Sequence, residues 1–104
     1  MKVYIAGKIS GLPATEAERL FSLASIYLRE MGHEVFDPFH ENSGLVEDGT
    51  LTYEEVMSLD FLVIERWAEA LYFLPNWHSS PGARREMVLA RRLEKPCFFS
   101  LRDI

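Results

Sequence analysis

At 104 residues the chain has room for one domain, residues 1–104, and buries only a modest share of its surface, so self-association is a natural source of stability. Hydrophobic residues at 48% and charged residues at 26% exclude a disordered chain and describe an ordinary globular one. The formal net charge of -5 argues against a nucleic-acid backbone as partner, which asks for a basic face. The one basic cluster, Arg84, Arg85, Arg91, Arg92 and Lys95, is spaced as a solvated helix surface. No signal segment with a cleavage site and no apolar run of membrane-spanning length is visible, so the expectation is a cytoplasmic protein with no membrane partner. Cys97 is the sole cysteine and sits in the apolar run Pro96-Cys97-Phe98-Phe99, which reads as a buried structural thiol.

Lys2 to Ala6 is short, β-branched and aromatic, and Gly7 ends it: the first strand. The loop Lys8 to Leu12 leads to Pro13, a residue suited to a first helical turn. Ala17, Leu20, Phe21, Ala24, Leu28 and Met31 then fall at helical period until Gly32 stops them. His33 to Phe36 reads as a second strand closed by Asp37-Pro38. The segment from Phe39 to Thr50, punctuated by Gly44 and Gly49, reads as a mobile polar excursion. Thr52 with Glu55 is a capping box for a second helix whose expected buried face is Val56, Leu59, Leu62 or Val63, and Trp67. Leu71 to Leu74 is the third strand. Ser79, Ser80, Pro81 and Gly82 open a third helix with the stripe Ala83, Met87, Ala90 and Leu93, and Pro96 to Ser100 is the fourth strand. Strands alternating with helices define an α/β domain, and right-handed crossovers then require a mainly parallel sheet with helices on both faces.

In open parallel sheets a ligand sits outside the C-terminal strand ends. That rule selects Gly7 to Gly11, Asp37 to Thr50, and Pro75 to Glu86. The first loop lacks both the dinucleotide glycine spacing and the ending of a phosphate-binding loop, so Gly7 serves either a tight turn or close backbone approach to a ligand, with Lys8 beside it. In the third segment Ser79, Ser80 and Gly82 open a helix whose free amides favour an anion. Glu86 lies about one turn further in. On the residues alone a surface role in the helix dipole is favoured for it over a place at the cleft mouth. Arg84 could face a phosphate or pair with an acid. Asp60 lies mid-helix between apolar neighbours, pointing at the cleft or outward. Tyr4 and Trp77 could stack on a ring or fill the core. His33, His40 and His78 lack metal-ligand spacing, no serine sits in a nucleophile elbow, and neither metal nor cofactor is expected.

Met1 to Gly7, Gly11-Leu12-Pro13, Gly32 to Pro38, Leu74 to Trp77, Ser80 to Glu86 and Lys95-Pro96 together resemble the nucleoside 2-deoxyribosyltransferase-like proteins, in a small branch partly found in phages. The resemblance covers nearly the whole chain. It implies a flavodoxin- or Rossmann-like three-layer fold with four or five mainly parallel strands in the order 2-1-3-4, and a homodimer or larger homo-oligomer. It implies a small-molecule nucleoside or nucleotide as partner. It also implies a glutamate, matched by Glu86, that attacks the anomeric carbon of a deoxyribosyl group and forms a covalent intermediate. Asp60 matches the acid that orients the sugar, and Tyr4 lies near the substrate-positioning aromatic. Ser80 and Gly82 match the turn that holds a 5'-phosphate in relatives acting on monophosphates. Gly7, Lys8, Trp77 and Arg84 complete the expected substrate-binding set. Two departures stand out: Ser80 occupies the place of an aspartate usual in the transferases, and Ala68-Glu69-Ala70 replaces a stretch usually carrying aspartate.

The expected function is therefore cleavage of the N-glycosidic bond of a deoxynucleoside or its 5'-monophosphate, by hydrolysis before transfer. The alternatives are a catalytically silent nucleotide-binding or sensing domain and, with least support, a protein-interaction module on the arginine face.

Overall fold

The computed structural model describes residues 1–104. Lys2–Ala6 forms β1, and its alternation sends Val3 and Ile5 to one face of the sheet and Tyr4 and Ala6 to the other. Helix α1 (Ala14–Glu30) returns the chain to β2 (Glu34–Phe36), which pairs parallel with β1. Helix α2 (Pro38–Glu41) and α3 (Tyr53–Arg66) precede β3 (Ala70–Phe73), α4 (Pro81–Arg92) and the short β4 (Cys97–Phe98). The four strands are all parallel in the order β2-β1-β3-β4, a Rossmann-like α/β arrangement without the fifth strand that the sequence left open.

Two apolar clusters hold the layers together. Val3, Ile5, Tyr72 and Leu74 meet Phe21, Ala24 and Leu28 of α1 on one face. Tyr4, Ala6, Leu71 and Phe73 meet Ile64 of α3 and Ala83, Met87 and Ala90 of α4 on the other. Burial of these side chains is the main favourable term, on the order of 1.5–3 kcal/mol for each large one.

The capping box forms as the sequence anticipates: Thr52 accepts from the Glu55 amide at 3.1 Å and Glu55 accepts from the Thr52 amide at 2.9 Å. The other end of α3 is closed from a distance. Lys95 Nζ donates to the carbonyls of Ile64, Glu65 and Ala68 at 2.6, 3.0 and 2.6 Å, satisfying the acceptors that a helix end leaves free. Glu69 pins the start of β1 by accepting from the Lys2 amide at 2.8 Å.

Four expectations need correction. The inward face of α3 is Met57, Asp60 and Ile64, whereas Leu59 and Leu62 are 45% and 43% exposed. An apolar stripe was sought there, and the inward polar residue rotates the true face by one position. Met31 and Leu93 terminate their stripes in solvent, because each sits at a helix C-cap. Cys97 is half-buried, and its strand covers two residues where five were expected. The excursion after β2 is folded, not loose. Asp37 caps α2 by accepting from the Phe39 and His40 amides, Phe39 stacks on Phe21, and the Leu51 amide closes the loop on Leu45.

Candidate active site

Over the C-terminal ends of β1 and β3 lies a cleft of about 480 Å³. Every segment selected by the strand-end rule contributes to its wall: Gly7, Ile9 and Ser10 after β1, Pro38 to Glu47 in part after β2, and Ser80 to Glu86 in part after β3. Helix α3 adds Tyr53, Val56, Met57 and Asp60. Ile9, Phe39, Val46, Val56 and Met57 make one wall apolar, and the ionisable side chains on the lining are acids and tyrosines, with no Lys, Arg or His.

The polar end is built on three elements. Tyr4 is fully buried, with its ring stacked on Phe36 at 5.6 Å, so only its hydroxyl reaches the cleft. That hydroxyl donates to Glu86 Oε2 in a short hydrogen bond. Glu86, on the inner face of α4, is 5% exposed, and Asp60, on the inner face of α3, is equally buried. Asn42 Nδ2 donates to Asp60 Oδ1 at 2.9 Å.

Burial without a cation alongside makes ionisation costly. It pushes Glu86 up to about 8; the Tyr4 hydrogen bond opposes this, the nearby Asp60 charge adds to it, and Arg85 pulls it back. Burial also raises Asp60 to about 6, opposed by the hydrogen bond from Asn42. Tyr4 is raised well above the ordinary phenol value by burial first and by the Glu86 charge second, so it remains a donor. Both carboxyls are thus held above their ordinary values, Glu86 further than Asp60.

At the mouth, Ser80 caps α4 by accepting from the Ala83 amide at 3.1 Å, and Pro81 occupies the first helical position. A Cβ on Gly82 would stand 2.9 Å from the Tyr53 hydroxyl, so the side chain of Tyr53 crosses directly over the helix opening. A Cβ on Gly7 would meet Leu74 at 2.5 Å. Close packing of β1 against the end of β3 thus accounts for glycine at position 7, while its backbone still lines the cleft.

Of the residues singled out in the sequence, Tyr4, Gly7, Asp60, Ser80, Gly82 and Glu86 converge on this cleft. Lys8, Trp77 and Arg84 stand outside its lining. The Lys8 amide binds the side chain of Asn76 at 3.0 Å, and its ammonium stem folds toward Gly11. Trp77 packs its ring on Phe73 and Phe99. Arg84 is exposed on the outer turn of α4, and the ion pair of that turn belongs instead to Arg85, which grips Glu54 at 3.0 and 3.2 Å. Asn42 and Tyr53 were missed. Tyr53 directly follows the capping threonine, and Asp37-Pro38 repeats the capping signature of Ser80-Pro81; together these were the available hints of a folded wall here.

Fold and site together define an α/β parallel-sheet protein with a paired-carboxylate cleft at its strand ends. The chain belongs to the family described as a domain of unknown function (DUF4406), whose model matches residues 1–99. No curated protein and no solved structure matches it.

Proposed function

We propose that the protein cleaves the N-glycosidic bond of a deoxynucleoside or its 5'-monophosphate, with Glu86 as nucleophile. The observation that carries this reading is the convergence of Glu86, Asp60 and the Tyr4 hydroxyl at the buried end of one cleft with an apolar wall. The resemblance to nucleoside 2-deoxyribosyltransferase-like proteins supplies the reaction class, and the same three residues are the ones it singles out.

In this reading the base lies against Ile9, Val46, Val56 and Met57, and the sugar faces the acids. Ionised Glu86 attacks the anomeric carbon while the electrons of the C–N bond leave with the base, which takes up a proton from solvent. Water then attacks the anomeric carbon, breaking its bond to the Glu86 oxygen, restoring the carboxylate and returning a proton to solvent. Asp60 holds a sugar hydroxyl and Tyr4 aims the nucleophile. Ser80 and Gly82 at the opening of α4 receive the 5' end of the substrate. The resemblance also carries a homo-oligomer, and α1 leaves Leu23, Ile26, Tyr27 and Met31 exposed as a face for a second copy, which light scattering in solution tests.

The test is base release from a panel of deoxynucleosides and their 5'-monophosphates, with Glu86→Ala beside the wild type. Free base from the wild type alone supports the proposal. The second reading, a nucleotide-binding domain without chemistry, is favoured by one observation, Ser80 standing where the transferases usually carry an aspartate. It predicts saturable nucleotide binding with no base released at any pH up to about 9, above the Glu86 titration.

A further inference from the structure

Asn42 has no part in the reading above, yet it supplies the one side-chain hydrogen bond between the segment after β2 and the acids of the cleft. It stands at the C-cap of α2, with its amide bonded to Pro38 O at 3.1 Å, so its backbone is fixed by a helix that Asp37 caps. From that base Nδ2 reaches Asp60 Oδ1 on the inner face of α3. Asp60 is 5% exposed and has no basic side chain among its neighbours on the cleft lining. A buried carboxylate so placed needs donors, and the amide of Asn42 is a donor with no charge of its own.

We propose that Asn42 is a positioning residue for Asp60, fixing the direction of its carboxylate and making the folded segment after β2 a structural part of the acid site. Resting on the proposed reaction only for its catalytic consequence, this assigns a role to a segment that otherwise serves as a wall. The groups facing Asp60 are Tyr4 from β1, Glu86 from α4, Asn42 from the end of α2 and Tyr53 from its own helix, with Glu47 on the same lining and Arg85 one position before Glu86. Among them Asn42 is the side chain that donates to Asp60 and lowers its proton affinity, while the Tyr4 hydroxyl donates to Glu86.

The experiment follows the side-chain carboxyl resonance of Asp60 by carbon NMR in a pH titration of the full chain, in wild type, Asn42→Ala and Asn42→Asp. No substrate or turnover is needed, so the result stands apart from whether base is released. The expected result is a titration midpoint that moves upward in Asn42→Ala and further in Asn42→Asp, where a carboxylate replaces the donor. Far-ultraviolet circular dichroism identifies which variants are folded; Asn42→Asp keeps the shape of the side chain and serves if the alanine variant does not fold. An unmoved Asp60 midpoint in either folded variant overturns the proposal, and assigns Asn42 to holding the loop alone.

Discussion

Glu86 is a glutamate whose folded environment favours the uncharged form, and this has consequences for stability as well as for chemistry. Its proton affinity rises from the ordinary 4.5 to about 8 on folding, chiefly through burial. Below 4.5 both the folded and unfolded chains hold the proton; between there and about 8 only the folded chain does. The stability this confers is therefore complete at acid pH and lost as pH rises through about 8. Asp60 adds a smaller loss of the same sign between 3.8 and about 6. Thermal melts should show Tm falling from about pH 5 to about pH 8 in the wild type and a flatter profile in Glu86→Gln. Equal slopes in the two proteins would remove the buried proton from the account. The proposed reaction runs the opposite way, because it needs Glu86 ionised as its nucleophile. In the free protein kcat/KM should climb about tenfold per pH unit and level off near the Glu86 titration. Tyr4→Phe keeps the ring stacked on Phe36 and removes only the donor, so base release should fall about a hundredfold while circular dichroism at neutral pH shows the fold retained.

Among the elements, β1, α1 and the capped start of α3 were legible because local signals and tertiary packing agree there. Apolar periodicity ran to a glycine in α1, and the Thr52–Glu55 box formed as spaced. The phase of α3 was not legible, since Asp60 takes an inward position that a stripe of apolar residues would have filled. The folded segment after β2 was hidden for another reason: its order comes from Asp37 capping α2 and from Phe39 meeting Phe21, contacts that glycine punctuation obscures. The closure of α3 by Lys95 was equally invisible, being made across 27 to 31 residues of chain. Lys95→Met should lower stability by about 1–3 kcal/mol in urea denaturation, the cost of leaving helix-end carbonyls without their charged donor. Gly7→Ala should cost about 1–3 kcal/mol through overpacking against Leu74. Leu74→Ala in that background should recover part of it, whereas strict additivity would show that the strain lies elsewhere.

At the scale of the whole molecule, the order β2-β1-β3-β4 brings three loops and one helix face together over the central strands. The location of the cleft was readable from the strand-end rule alone, and the pairing of Glu86 with Asp60 came only with the family resemblance, because the two residues are joined by the fold and not by spacing. Lys8, Trp77 and Arg84 lie beside the site's loops in sequence, but the Lys8 amide bonds Asn76, Trp77 packs on Phe73 and Phe99, and Arg84 is exposed on α4. The central claim is that Glu86 forms a covalent bond to the sugar. It is tested most directly by incubating the protein with a 2'-fluoro-arabinosyl nucleoside, whose fluorine destabilises the cationic transition state that would release the sugar from the enzyme. Intact-mass and peptide-mapping spectrometry should then find the fluorosugar attached to the peptide containing Glu86, and none in Glu86→Gln. Full occupancy of the cleft with no adduct on that peptide would contradict the account.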